Sequence, residues 1–143
     1  MPDRNILTKR RIKTYLSRTK HQIYGSGNFA KWQSQDIEIN TFDNADYGTV
    51  INGDHFSWEC DNHLWGFIKD NNNNIVTIGT EKQQFGFFPA PQNITDDWHG
   101  YPVFPFKEKN KKYDICKKLL KFWEDNNELS ADEIAILTKG KLL

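Results

Sequence analysis

The chain has few covalent or membrane supports to draw on. Cys60 and Cys116 are the only cysteines in 143 residues, too few for a disulfide framework, and they read as two free thiols in a reduced compartment. No apolar run approaches the length that spans a bilayer. The opening residues, MPDRNILTKRR, hold no apolar h-region of a secretory signal. The expected location is therefore the cytoplasm, with no membrane partner. No glycine-rich phosphate loop, nucleophile elbow or zinc-finger spacing is present, so neither a cofactor nor a metal is expected. Net charge is missing too, because 19 Lys+Arg balance 19 Asp+Glu.

What the chain does have is aromatic residues, 14% of the total. Rings bury large areas each, so a real core is expected although hydrophobic residues are only 37%. The length suits one domain spanning 1–143. The balanced charge is also strongly segregated: residues 1–31 carry a net +7, residues 32–106 a net −9 and residues 107–143 a net +2. Such asymmetry sets the field a partner meets.

Periodicity predicts an α+β fold. Leu7–Tyr24 reads as a basic amphipathic N-terminal helix, with Ile12, Tyr15, Leu16 and Ile23 near helical spacing and Gly25 as its stop. Asp36–Phe42 alternates like a half-buried strand. Gly48–Ile51 and His55–Cys60 flank an Asn52-Gly53-Asp54 hairpin signal. Leu64–Lys69 and Ile75–Thr80 flank the turn-forming run Asp70–Asn74. Together these predict an antiparallel β-meander of about five or six strands. Tyr113–Asn126 carries a wide apolar stripe, and Ser130 with Glu133 makes a capping box for a last helix. Both C-terminal helices are expected on one face of the sheet.

Phe85–Phe106 stands out. It holds seven aromatics and four prolines in twenty-two residues. Proline removes backbone donors, so the segment cannot be a helix or a central strand throughout, and it is too aromatic for a solvated linker. Within it, Tyr101-Pro102-Val103-Phe104-Pro105 resembles the proline-rich loop of ubiquitin-conjugating enzymes, as does the order of basic helix, meander and loop. No His-Pro-Asn follows, and Cys116 falls inside a predicted helix. The resemblance implies architecture and carries no activity.

Three sets of residues suggest function. The aromatic loop supplies Asp96, Asp97, Trp98, His99, Tyr101 and Phe104, joined by Trp65 from the sheet. Aromatic anchors with acidic steering residues suit a protein-binding module whose partner has a basic surface, in the manner of an immunity or antitoxin protein. The second set is an imidazole beside carboxylates: His99 with Asp97, and His55 with Glu59 near His63, which are candidates for general acid–base work in a small hydrolase or transferase. The third is Arg10, Arg11, Lys13, Arg18 and Lys20, which could neutralise RNA or DNA phosphates. The binding module is the leading expectation, and enzymatic activity is left open.

Overall fold

The computed structural model describes residues 3–7, 13–93, 95–107 and 111–143. Two short strands, β1 (Arg4–Leu7) and β2 (Thr14–Ser17), pair antiparallel at the start, and a single 3₁₀ turn follows at Thr19–His21. Helix α1 spans Gln35–Tyr47. Strands β3 (Thr49–Ile51) and β4 (Asp54–Phe56) form a separate hairpin. The main sheet is antiparallel, in the order β5 (Glu59–Cys60), β6 (His63–Gly66), β7 (Phe85–Phe88), β8 (Tyr101–Val103). Helices α2 (Lys117–Asp125) and α3 (Ala131–Leu137) complete the chain. None of the helices among the described residues is long and apolar enough to cross a membrane.

Alternation along the main sheet explains its position. On β6, Leu64 points to one side and Trp65 to the other; on β7, Phe88 opposes Phe85 and Phe87. One face joins Trp65, Phe85 and Phe87 to Trp58, Phe67, Leu119, Leu120 and Trp123 under α2 and α3. The other joins Leu64 and Phe88 to Tyr15, Trp32, Phe42, Ala45, Ile78 and Trp98 under α1. The two C-terminal helices share one face, as expected, and α1 covers the other. A glycine pair lets α1 approach. Gly66 and Gly86 oppose each other across β6 and β7, and a Cβ on Gly86 would come within 2.8 Å of the Trp32 ring and 3.0 Å of the Thr41 methyl.

The predicted N-terminal helix is replaced by the β1–β2 pair and the 3₁₀ turn; Arg10 and Arg11 lie outside the described residues. Tyr15 and Ser17 alternate inward on β2, which a strand permits and a helix stripe does not. The single meander is likewise replaced by several small sheets, and the expected strand at Asp36–Phe42 is part of α1. Its buried positions, Glu38, Thr41, Phe42, Asp43, Ala45 and Asp46, recur with helical spacing, but four of the six are polar. The residues between Lys69 and Gly79 contribute isolated bridges and no strand. With the basic helix gone, the element order that resembled ubiquitin-conjugating enzymes is not present.

Local signals fared better where chemistry is explicit. Asn52 and Gly53 take positive φ, 53° and 86°, at the β3–β4 turn. Asp70 Oδ1 accepts from the Asn72 and Asn74 amides at 2.9 and 3.0 Å, closing the asparagine turn. The Ser130–Glu133 box is complete: the Ser130 amide donates to Glu133 Oε1 at 2.9 Å and the Glu133 amide to Ser130 Oγ at 3.1 Å. Pro102 sits on edge strand β8, where a missing donor is tolerated.

The two cysteines are not free. Cys60 on β5 and Cys116, which caps α2, form a disulfide with Cα atoms 5.9 Å apart. Sequence spacing of 56 residues hid a pairing that the sheet–helix contact creates. Closing a loop of that length is worth about 4 kcal/mol. Reduction, or Cys60→Ser, is expected to lower denaturant stability by about that amount, read from paired melts with and without reductant.

Buried Glu38 gives a second expectation. It is fully buried, and its carboxylate accepts from Tyr15 Oη at 2.8 Å, Ser17 Oγ at 2.8 Å and Gln22 Nε2 at 2.5 Å. Burial raises its pKa above the ordinary 4.5, while the bonds from Ser17, Tyr15 and Gln22 oppose that rise. The folded state thus holds the proton more tightly than the unfolded chain. This contribution to stability is fully present below the unfolded value and is lost as pH rises through the folded one. Glu38→Ala should cost about 3 kcal/mol by stranding buried donors. Glu38→Gln should cost less and should remove this pH dependence in melts run from acid to neutral pH.

Candidate functional site

The backbone that leaves β2 builds the site. The His21 amide donates to Arg18 O and the Gln22 amide to Thr19 O, both at 3.0 Å, which closes the 3₁₀ turn. The Trp32 amide then donates to His21 O at 2.8 Å, returning the chain alongside. Across from this turn runs the segment Trp98–Tyr101. The Trp98 amide donates to Thr14 O at 2.9 Å and the Leu16 amide to Trp98 O at 2.6 Å, so the segment runs parallel to β2. Trp32 Nε1 donates to Gly100 O at 3.2 Å and fixes the far side.

These contacts gather Arg18, Lys20, His21, His99 and Tyr101. The His21 ring stacks on Tyr101 with centroids 5.1 Å apart and planes 23° apart, and meets Phe29 edge-on at 5.9 Å. His21 Nδ1 lies 2.6 Å from Ala30 O; a carbonyl only accepts, so Nδ1 carries the proton and a neutral ring keeps a lone pair on Nε2. His99 is half-buried and makes no hydrogen bond among the described residues. It lies two residues before Tyr101, so alternation places the two side chains on one face.

The electrostatics favour neutral imidazoles. Burial lowers the His21 pKa, the Ala30 bond opposes it, and the charges of Lys20, His99 and Arg18 lower it further. His99 is lowered by burial and then by Arg18 and Lys20. Tyr101 is held protonated by burial and by its hydrogen bond to Tyr113, with hydroxyl oxygens 3.0 Å apart. Arg18 pairs with Asp3 at 2.9 Å, and the Thr19 amide donates to Asp3 at 2.6 Å, the main cause of that carboxyl's lowered pKa. Lys20 lies over Phe29, with Nζ 4.8 Å from a ring that is about half exposed at 49%. Beside Tyr101 opens a recess of about 220 Å³, walled by Tyr101, Pro102, Phe104 and Tyr113 and also lined by Lys107 and Glu81.

The other expected residues lie elsewhere. Trp98 and Trp65 are buried, in opposite cores; Lys13 Nζ lies 5.2 Å above the Trp98 ring. Asp96 is an exposed turn residue, accepting from the Asn93 side chain at 3.2 Å. Asp97 forms no hydrogen bond with His99 among the described residues. Phe104 is half-buried beneath Lys107, 4.7 Å away. Lys13 is spent on Asp46, at 2.8 Å. His55 is exposed and packs on Tyr47 at 4.0 Å, Glu59 is exposed on edge strand β5, and His63 Nδ1 accepts from the Ala90 amide at 2.9 Å. His99 makes no hydrogen bond with His55 or Glu59 among the described residues; it shares a strand face with Tyr101, on which His21 stacks. Among the described residues no three His, Cys, Asp or Glu side chains converge as a metal site would need.

His21 was missed because Arg18-Thr19-Lys20-His21 reads as a charged helix face. Its signal is the inward alternation of Tyr15 and Ser17 just before, which ends the helix reading; His21 itself is buried, with 6% exposure. A larger cleft, about 630 Å³, lies between β4–β5 and α2, lined in part by Phe56, Glu59, Asp61, Lys118 and Phe122. Its charges are of mixed sign and no histidine lines it.

Titration followed by NMR should place both His21 and His99 below the ordinary histidine value of 6.5. Lys20→Ala removes a like charge, and the His99 value should then rise; an unchanged value would deny the proximity. Comparison with protein-family models, with curated proteins and with solved structures yields no match to this chain.

Proposed function

We propose that the chain binds single-stranded RNA at the Tyr101 surface. One observation carries this reading: two cations, two neutral imidazoles and an exposed ring converge where β2 and its 3₁₀ turn meet the Trp98–Tyr101 segment. Arg18 and Lys20 suit phosphate oxygens. Phe29 offers a stacking face, and the open aromatic recess beside Tyr101 offers a place for a second base. The balanced net charge favours a short, local contact over a long electrostatic track. The whole chain is taken as one domain.

A second reading, a protein-binding module, is favoured by a different surface. Val50 and Phe56 are exposed on the β3–β4 hairpin beside the larger cleft. Asp54, Glu59 and Asp61 are exposed nearby in sequence and suit a basic partner. As for location, the Cys60–Cys116 disulfide favours an oxidising compartment over the reduced cytoplasm expected from composition.

Fluorescence anisotropy with a labelled single-stranded oligonucleotide separates the readings. Lys20→Ala should weaken binding and reduce the salt slope by about 1. Phe29→Ala should weaken it by about tenfold, the scale of one lost stack. Binding that is insensitive to salt and to both substitutions would remove the RNA reading.

A further inference from the structure

We propose that this surface cleaves the RNA it binds, with His21 as general base and His99 as general acid. The inference rests on the RNA-binding reading and adds a reaction to it. Geometry gives the roles. The Ala30 carbonyl holds the His21 proton on Nδ1, so Nε2 presents a lone pair, and no other hydrogen bond to that ring exists among the described residues. Tyr101 and Phe29 clamp the ring's plane. His99 has both ring nitrogens uncommitted among the described residues, and it lies on the same strand face as Tyr101, on which His21 stacks. A structural histidine commonly satisfies its nitrogens internally; here one imidazole with a free Nε2 and one with both nitrogens open lie near two cations.

The step balances without any redox partner. His21 Nε2 takes the proton of a ribose 2′-hydroxyl as that oxygen attacks the adjacent phosphorus. The bond from phosphorus to the 5′-oxygen breaks, and His99, in its imidazolium form, protonates the leaving oxygen. The products are a 2′,3′-cyclic phosphate and a 5′-hydroxyl. The two imidazoles end with exchanged protonation and reset through water. Arg18 and Lys20 would hold the non-bridging oxygens, where charge gathers in the transition state.

This division of labour needs one neutral and one charged imidazole, so the rate should be bell-shaped in pH. The groups facing the pair are Arg18 and Lys20 on the 3₁₀ turn, Tyr101 on β8, and Asp3, which reaches them through Arg18. Both cations favour the neutral rings, which moves the bell toward acid pH. A phosphate bound between them would move it back.

The test uses the full chain and one sequence in two forms: an all-ribose oligonucleotide of about ten nucleotides and its 2′-deoxy counterpart, which binds phosphate and base but lacks the attacking hydroxyl. We expect both to bind and only the ribose form to be cut, giving a cyclic phosphate detectable by mass spectrometry. His99→Gln should slow cleavage by about a hundredfold or more while leaving deoxy binding within a few-fold. His21→Asn, which keeps an N–H for Ala30, should do the same and remove the acid limb of the bell. If His21→Asn fails to fold, His99→Gln carries the test alone. Deoxy binding without any cut of the ribose form would overturn the cleavage proposal and leave the RNA-binding reading standing. No binding of either form would overturn both. Cleavage unchanged in His99→Gln would overturn the proposal as well.

Discussion

A single buried carboxyl organises the N-terminal half. Glu38 projects from α1 into the fully buried interior, and three donors from one short stretch, Tyr15, Ser17 and Gln22, converge on it. Such a group is costly to bury unless its acceptors are filled. The network is deeper than those three bonds, because Gln22 also donates to Ser17 at 2.7 Å and Gln35 to Ser17 at 3.2 Å. Polar bonds are directional where apolar packing is not. A carboxyl bonded from both ends of Tyr15–Gln22 fixes the path of the residues between, and those residues include Arg18, Lys20 and His21. Glu38 touches no ligand, yet the proposed site takes its shape from it.

The middle layer supplies the second half of the site. The sheet is covered on both faces, so each of its strands must alternate two apolar sets, and Leu64–Trp65 and Phe87–Phe88 do so at adjacent positions. Room for α1 comes from the Gly66–Gly86 pair, where side chains would hold the helix away. Once α1 sits there, Phe42 packs against Phe88 at 5.0 Å and Tyr15 at 4.7 Å. Trp98 closes the same core. Burial of Trp98 is what brings its neighbours His99 and Tyr101 against β2 and the 3₁₀ turn. The residue that looked most like an exposed binding anchor thus positions the site from within the core.

How much of this could be read from the chain depends on which forces are local. The capping box at Ser130, the Asn52-Gly53 turn and the asparagine loop depend on a few adjacent residues, and all three are present. The stripe of α2 is apolar and was legible, although the helix starts later than Tyr113, at Lys117. Helix α1 was illegible because its inward face carries Glu38, Thr41 and Asp46, whose partners are distant in sequence. Hydrophobic periodicity cannot see a stripe satisfied by hydrogen bonds. At the site, His99 and Tyr101 stand out because their segment is dense in aromatics. His21 does not, since only the pairing of β2 with Trp98 sets it beside them. The disulfide was hidden for the same reason, as its two cysteines come together only when α2 docks beside β5.

The expected pairing of His99 with Asp97 would have made a different chemistry. A carboxylate bonded to an imidazole raises its pKa and favours the charged ring. Here His99 has no such partner among the described residues, and nearby Arg18 and Lys20 push the other way. His21 has a carbonyl in place of a carboxylate, which orients the ring without adding negative charge. Two imidazoles oriented or left open in this way are biased toward neutrality first by burial and then by cations, and an anion arriving between them opposes the second of these. A phosphate would screen both cations at once and shift both rings toward the protonated form. The site is therefore built so that its acid form is favoured by the charge of the ligand it is proposed to hold.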